Sequence, residues 1–214
     1  MAFAKKDEGV AVVRPANIVE FGVRIRGTAP LVQNKFSHKA RMKMMQDMST
    51  PKSQKKSKSE RPPRDYDDDF IQAQHLDSDG RNGIPAPAFR AAMIDACRAA
   101  GIVMTKAKMS VFVLHDSIDA TDGTPLVLID ATAPERTEML VRNDNGGADI
   151  RIRPMWRAWS ALVRLQFDAD MISLDSVVNL LDRAGRQVGI GEGRPFSKNS
   201  TGQGWGTFVV EASQ

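Results

Sequence analysis

Aromatic side chains and cysteine are scarce in this chain. Only 6% of its 214 residues are Phe, Trp or Tyr, with a single Tyr, and Cys97 is the one thiol. One thiol excludes an internal disulfide framework and a cysteine-rich zinc site, and a reducing, cytoplasmic interior is the expected compartment. No run approaches 18 consecutive apolar residues, so no membrane-spanning helix is expected and no membrane partner with it. The first eight residues, Met-Ala-Phe-Ala-Lys-Lys-Asp-Glu, lack the apolar stretch of a secretory signal. Histidine is limited to His38, His75 and His115. The zinc-protease motif H-E-x-x-H, the serine-hydrolase motif G-x-S-x-G and the phosphate-binding motif G-x-x-x-x-G-K-[ST] are absent. Asp77-Ser78-Asp79-Gly80 opens like a calcium loop, but Arg81 stands where that loop needs an oxygen ligand. Gly189-Ile190-Gly191-Glu192-Gly193 follows a helical segment and runs into Pro195, which is the wrong context for a dinucleotide fingerprint. No metal and no cofactor are expected.

The chain does contain an uneven distribution of charge. Ten Lys/Arg stand against two acids (Asp47 and Glu60) between Lys35 and Arg64, a net +8. The whole chain carries +4, so the remainder is net −4. A mildly acidic body thus bears one strongly basic segment, which fits either a polyanion contact or a solvated loop. With 42% hydrophobic residues the body can bury a core. The chain reads as one domain, 1–214, with 35–64 as a basic insertion within it.

Periodicity orders the elements. Val19, Phe21, Val23 and Ile25 alternate with Glu20, Gly22, Arg24 and Arg26, a strand ended by Gly27. Ala40, Met44 and Met48 share a helical face in the basic segment. Pro85 and Pro87 open a helix whose stripe is Phe89, Met93, Ala96, Cys97 and Ala100, closed at Gly101. Cys97 on that stripe is a core residue. Strands are expected at 110–115, 126–129, 139–142 and 150–153. Trp159, Ala161, Val163, Leu165 and Phe167 mark another. Ser173 caps a second helix, and 207–211 is the last strand. The firm elements run β-α-β-β-α-β, an α+β, ferredoxin-like (RRM-like) order with extra β hairpins. One sheet face is expected to stay open, lined by Arg24, Arg26, Arg151, Arg153 and Arg164.

The C-terminal part holds the most specific pattern. Gly189, Gly191 and Gly193 precede Arg194 and Pro195; Gly202, Gly204 and Gly206 flank Trp205. Glycines admit close backbone approach, an arginine pairs with phosphate, and a tryptophan stacks on a base. The competing reading is a glycine-rich hairpin that covers the core edge.

A glycine-rich loop between last helix and last strand of such a fold resembles the RAMP superfamily of CRISPR-associated proteins, in particular the repeated backbone subunit that coats guide RNA. Arg26-Gly27-Thr28-Ala29-Pro30-Leu31 resembles the end of that family's first strand. Gly83-Ile84-Pro85-Ala86-Pro87-Ala88-Phe89-Arg90 resembles the lead-in to its first helix. The paired glycine clusters resemble its terminal loop. The resemblance implies a non-catalytic protein that coats a single strand, RNA before DNA, as a homo-oligomer along it.

On that reading Lys35, Lys39, Arg41, Lys43, Lys55, Lys56 and Lys58 neutralise phosphates, and Arg24, Arg26 and Arg151 line the sheet face. Gly191, Gly193, Gly202 and Gly204 admit the backbone, Arg194 pairs with a phosphate and Trp205 stacks. Phosphate contacts supply affinity without sequence choice. Three alternatives remain open: a phage-type single-stranded DNA-binding or annealing protein, an endoribonuclease using His38 or Asp47, and a virion or scaffold protein that meets packaged nucleic acid.

Overall fold

The computed structural model describes residues 14–36, 38–49, 64–142, 147–197 and 202–211. In chain order the strands are β1 (Ile18–Gly27), β2 (Leu31–Val32), β3 (Gly83–Pro85), β4 (Val111–Val113), β5 (Ser117–Ile118), β6 (Pro125–Asp130), β7 (Glu135–Arg142), β8 (Ala148–Trp156), β9 (Ser160–Asp168) and β10 (Phe208–Val210). The helices are α1 (His38–Ser49), α2 (Tyr66–Gln72), α3 (Ala86–Ala100), α4 (Met104–Ser110) and α5 (Leu174–Arg183), the last continued by a π-helical turn, Ala184–Val188.

The main sheet is antiparallel and runs β10-β1-β9-β6-β3, with β4 also paired to β9 and β5 to β6. Counted as first, second, third and last strands, this is the order last-first-third-second of a ferredoxin-like fold. The second strand is divided into β4 and β6, both paired with β9. β1 and β9 carry the centre, in register from Ile18 opposite Asp168 to Arg26 opposite Ser160. Their alternation sorts the faces. Val23, Ile25, Ala161, Val163, Leu165 and Phe167 are buried, while Arg24, Arg26, Leu162 and Arg164 point outward.

Both crossover helices cover the buried face and meet there. α3 starts after Pro85 and stops at Gly101, whose left-handed backbone (φ 68°) lets its N–H reach the Cys97 carbonyl. α5 starts at Ser173, whose hydroxyl accepts from the Ser176 N–H. Phe89, Trp159 and Phe208 pack edge to face between helices and sheet. Cys97 is buried, and burial pushes its thiol pKa up, as suits a core residue.

A second, three-stranded sheet, β2-β8-β7, stands beside the first. It corrects one expectation. Arg151 and Arg153 lie on β8, opposite Met139 and Thr137, and not on the open face of the main sheet. The β7-β8 hairpin is inserted between the second and third core strands and leaves the main sheet to pair with β2. Alternating Arg and Ile look the same in either sheet, so the pattern alone does not say which sheet receives them.

Among the described residues no helix is long and apolar enough to cross a membrane.

Candidate nucleic-acid interface

Three stretches that are far apart in the chain meet at one cleft of about 600 Å³. Its walls include Leu31 and Asn34 from the segment after β1, Ile84, Pro85 and Ala88 at the start of α3, and Gly191, Gly193 and Arg194 from the glycine-rich segment. Arg151 of β8 and His75 complete it. That volume lies within the range of small-molecule and nucleotide sites.

The glycine-rich segment is held there by the protein's own backbone. The Glu192 N–H donates to the Val32 carbonyl (2.9 Å), the Ile190 N–H to Gly206 (3.0 Å), and the Gly206 N–H to Pro30 (2.7 Å). A Cβ on Gly191 would meet the Val32 carbonyl oxygen, and one on Gly206 the Ile190 carbonyl. The close approach these two glycines permit is therefore made first to β2 and to each other's cluster. Gly202 and Gly204 differ: both have left-handed backbones and open space where a side chain would be. Trp205 is half-buried, with its ring against Gly193 and its backbone N–H on the Gly193 carbonyl (3.2 Å). Trp205 thus joins the two glycine clusters behind the cleft wall.

Arg194 lines the cleft and donates from Nη1 to the Gly191 carbonyl (2.9 Å). Arg151 is partly exposed, with Asp149 at 3.9 Å. Arg153 pairs with Glu192 at 2.5 Å and fastens the glycine-rich segment to β8.

The other candidates are distributed elsewhere. On the open face of the main sheet Arg24 pairs with Asp130 (3.0 Å), Arg26 with Glu211 (3.5 Å) and Arg164 with Asp116 (3.0 Å). Each arginine there has a carboxylate beside it, so that face offers a polyanion little net charge. Lys35 departs from its expected role. Its side chain is 7% exposed and its ammonium lies 2.6 and 2.7 Å from the two oxygens of fully buried Asp119. Removing it from that pair to reach a phosphate would strand a buried carboxylate.

Lys39, Arg41 and Lys43 are on α1, where the Arg41 guanidinium comes within 3.9 Å of Asp122. Lys55, Lys56 and Lys58 lie outside the described residues. The two ends of the basic segment are rooted together, since Lys35, Phe36 and Arg64 line one depression that shares Asn34 with the cleft. Arg64 fixes its end through Asp69 (2.6 Å), Asp149 (2.9 Å) and the Ile150 carbonyl (2.7 Å). The basic excursion therefore leaves and returns beside the cleft.

A polar cluster under the cleft had no signal in the sequence. His75 Nδ1 lies 3.0 Å from Asp119 Oδ2. The Gln33 amide accepts from the His75 backbone N–H (3.1 Å) and donates to the Gly83 carbonyl (2.7 Å). Burial by itself would raise the Asp119 pKa, but hydrogen bonds from Lys35, the Thr121 N–H and His75 outweigh it and hold the carboxyl below its ordinary value. For His75 burial dominates and lowers the pKa, more than Asp119 raises it; Lys35 also lowers it. The imidazole is therefore neutral at physiological pH.

No protein-family description matches the chain, and no curated protein is similar to it in sequence. Among solved structures the chain is similar to Cmr6 from Pyrococcus furiosus, with a TM-score of 0.41 and 11% identity, over 91% of this chain and 99% of that one. The fold assignment rests on strand order and register, not on this likeness.

Proposed function

We propose that the chain binds a single-stranded nucleic acid without cutting it, running the strand from the basic segment across the cleft, and that copies line up along the strand as RAMP-like coating subunits. The observation that supports this reading most is the convergence at one cleft. Each of the three stretches resembling RAMP motifs contributes to it, through Leu31, through Ile84, Pro85 and Ala88, and through Gly191, Gly193 and Arg194, together with Arg151 and beside the root of a segment of net charge +8. Phosphate neutralisation there supplies affinity, and the open space at Gly202 and Gly204 lets a strand pass close to the backbone.

The Asp119–His75 pair favours a second reading, an endoribonuclease with His75 rather than His38 as its base. Against it, strand cleavage also needs an acid to protonate the leaving oxygen. The other ionisable groups on the cleft wall are Arg151, Arg194 and Glu192. Arginine does not yield its proton, and Glu192 is held by Arg153.

Binding of a fluorescent 15-mer at a series of salt concentrations tests the first reading. Each single-strand phosphate neutralised adds about −0.7 to the slope of log affinity on log salt. Arg151→Ala should flatten the slope by about 0.7, and joint replacement of Lys55, Lys56 and Lys58 by Ala by about 2. Unchanged slopes in both variants overturn it. Shortened strands that disappear with His75→Gln support the second.

A further inference from the structure

The sugar of the bound strand is left open by phosphate contacts, which RNA and DNA share. His75 supplies a group that distinguishes them. Its Nδ1 faces the carboxylate of Asp119, which Lys35 and the Thr121 N–H keep ionised. An ionised carboxylate only accepts, so Nδ1 must carry the ring hydrogen. The opposite nitrogen, Nε2, is then a lone-pair acceptor. Among the described residues Nε2 has no hydrogen-bond partner, and no buried side-chain nitrogen or oxygen there lacks one, so Nε2 is open to solvent. His75 is on the cleft wall, so the opening is the cleft.

The acceptor is also held firmly. The ring is fixed by Asp119, the His75 backbone by Gln33, and Asp119 by Lys35, all at hydrogen-bond distances of 2.6 to 3.1 Å. The remaining charged groups at the cleft, Arg151 and Arg194, are donors suited to phosphate, and Glu192 is paired with Arg153. A nucleotide whose phosphate lies on the arginines thus meets a fixed acceptor. The hydrogen-bond donor that ribose has and deoxyribose lacks is the 2′-hydroxyl.

We propose that His75 is the residue that selects RNA, its Nε2 accepting a hydrogen bond from the 2′-hydroxyl of a ribonucleotide seated in the cleft, with Asp119 and Lys35 as positioning residues. This rests on the strand-binding reading above.

Three 15-mers of one base sequence test it at pH 7.5: oligouridine, oligodeoxyuridine and 2′-fluoro-oligouridine. The fluoro strand keeps a ribose-like sugar but has no 2′ donor. One net hydrogen bond corresponds to a preference of roughly fivefold. Oligouridine should bind about that much tighter than the other two, which should bind alike. His75→Phe should abolish the difference between oligouridine and oligodeoxyuridine. His75→Gln, which can return an acceptor, should restore part of the preference and serves if His75→Phe does not fold. Equal binding of oligouridine and 2′-fluoro-oligouridine overturns the proposal, as does a preference that survives in folded His75→Phe or is undiminished in His75→Gln; in each case strand binding itself stands. Failure of all three strands to bind overturns the strand-binding reading and the proposal with it.

Discussion

At the scale of single residues, the most consequential group is Asp119. Its carboxylate is fully buried and is satisfied by Lys35, His75 and the Thr121 N–H. Asp119→Ala leaves Lys35 charged in a site with little water. Breaking such a pair costs about 3–5 kcal/mol, to be read as a lowered urea midpoint. The same cluster sets an acid profile. The pKa of His75 is below its ordinary 6.5 in the folded chain, so the unfolded chain takes up that proton first. The stability it contributes is present above 6.5 and is lost as pH falls from there through the folded value. Asp119 is lowered from 3.8 and adds a second loss below that pH. Melting temperature against pH should show two descending limbs, and His75→Gln should remove the upper one; a single limb below pH 4 would show that His75 titrates alike in both states. None of this was legible in the sequence. Lys35 resembles the other lysines of the basic segment, and 44 and 84 residues separate His75 and Lys35 from Asp119. Only the chain's path from β1 past β5 brings the three together.

At the scale of elements, the glycine-rich segments divide into two kinds. Gly206 faces the Ile190 carbonyl with no room for a Cβ, and its φ is 66°. Gly206→Ala should cost at least about 1–3 kcal/mol and lower melting temperature and strand affinity together. Gly204 has open space but a φ of 78°, so a β-branched residue is strained there and alanine is the cleaner probe. Gly204→Ala should lose about 1–2 kcal/mol of stability from that backbone alone. If the strand passes there, affinity falls further than stability; unchanged affinity places the strand elsewhere. Trp156 and Trp159 are buried, so a change in intrinsic fluorescence on binding reports chiefly on Trp205. The regular elements were legible because their signals are local. Period-two alternation marked β1 and β9, and Ser173 and Gly101 marked helix ends. β2, β3 and β5 are two or three residues long, and so short a run has no period to read. α2 was missed although Asp65 caps it, accepting from the Asp67 and Asp68 N–H groups, because it has no apolar stripe and no buried residue. Arg151 was read as a binding residue but assigned to the wrong sheet, since its pairing depends on where the β7-β8 hairpin folds back.

At the scale of the whole molecule, charge and apolar exposure are both concentrated on the excursion between Lys35 and Arg64. α1 is 12 residues, about 18 Å long, and Met42, Met44, Met45 and Met48 on it are exposed, Met48 by 88%. Phe36 just before it is exposed as well. Five large apolar side chains on one short excursion are costly in water, and methionine packs against irregular surfaces. The excursion is net +8 and the rest of the chain net −4, so on the proposed coating reading the body of a second copy is the complement to this excursion. A contact between unlike surfaces that does not close into a ring repeats along a line, and on that reading the bound strand is the line. Mass per complex should therefore rise stepwise with oligonucleotide length, and free protein should be smaller than any complex, as measured by light scattering on strands of 10 to 60 nucleotides. Replacing Met44, Met45 and Met48 by Ser should lower the number of copies per long strand while leaving affinity for a strand that fits one copy unchanged. One protein per strand at every length would remove lateral assembly and leave a monomeric binder, with the cleft still its site.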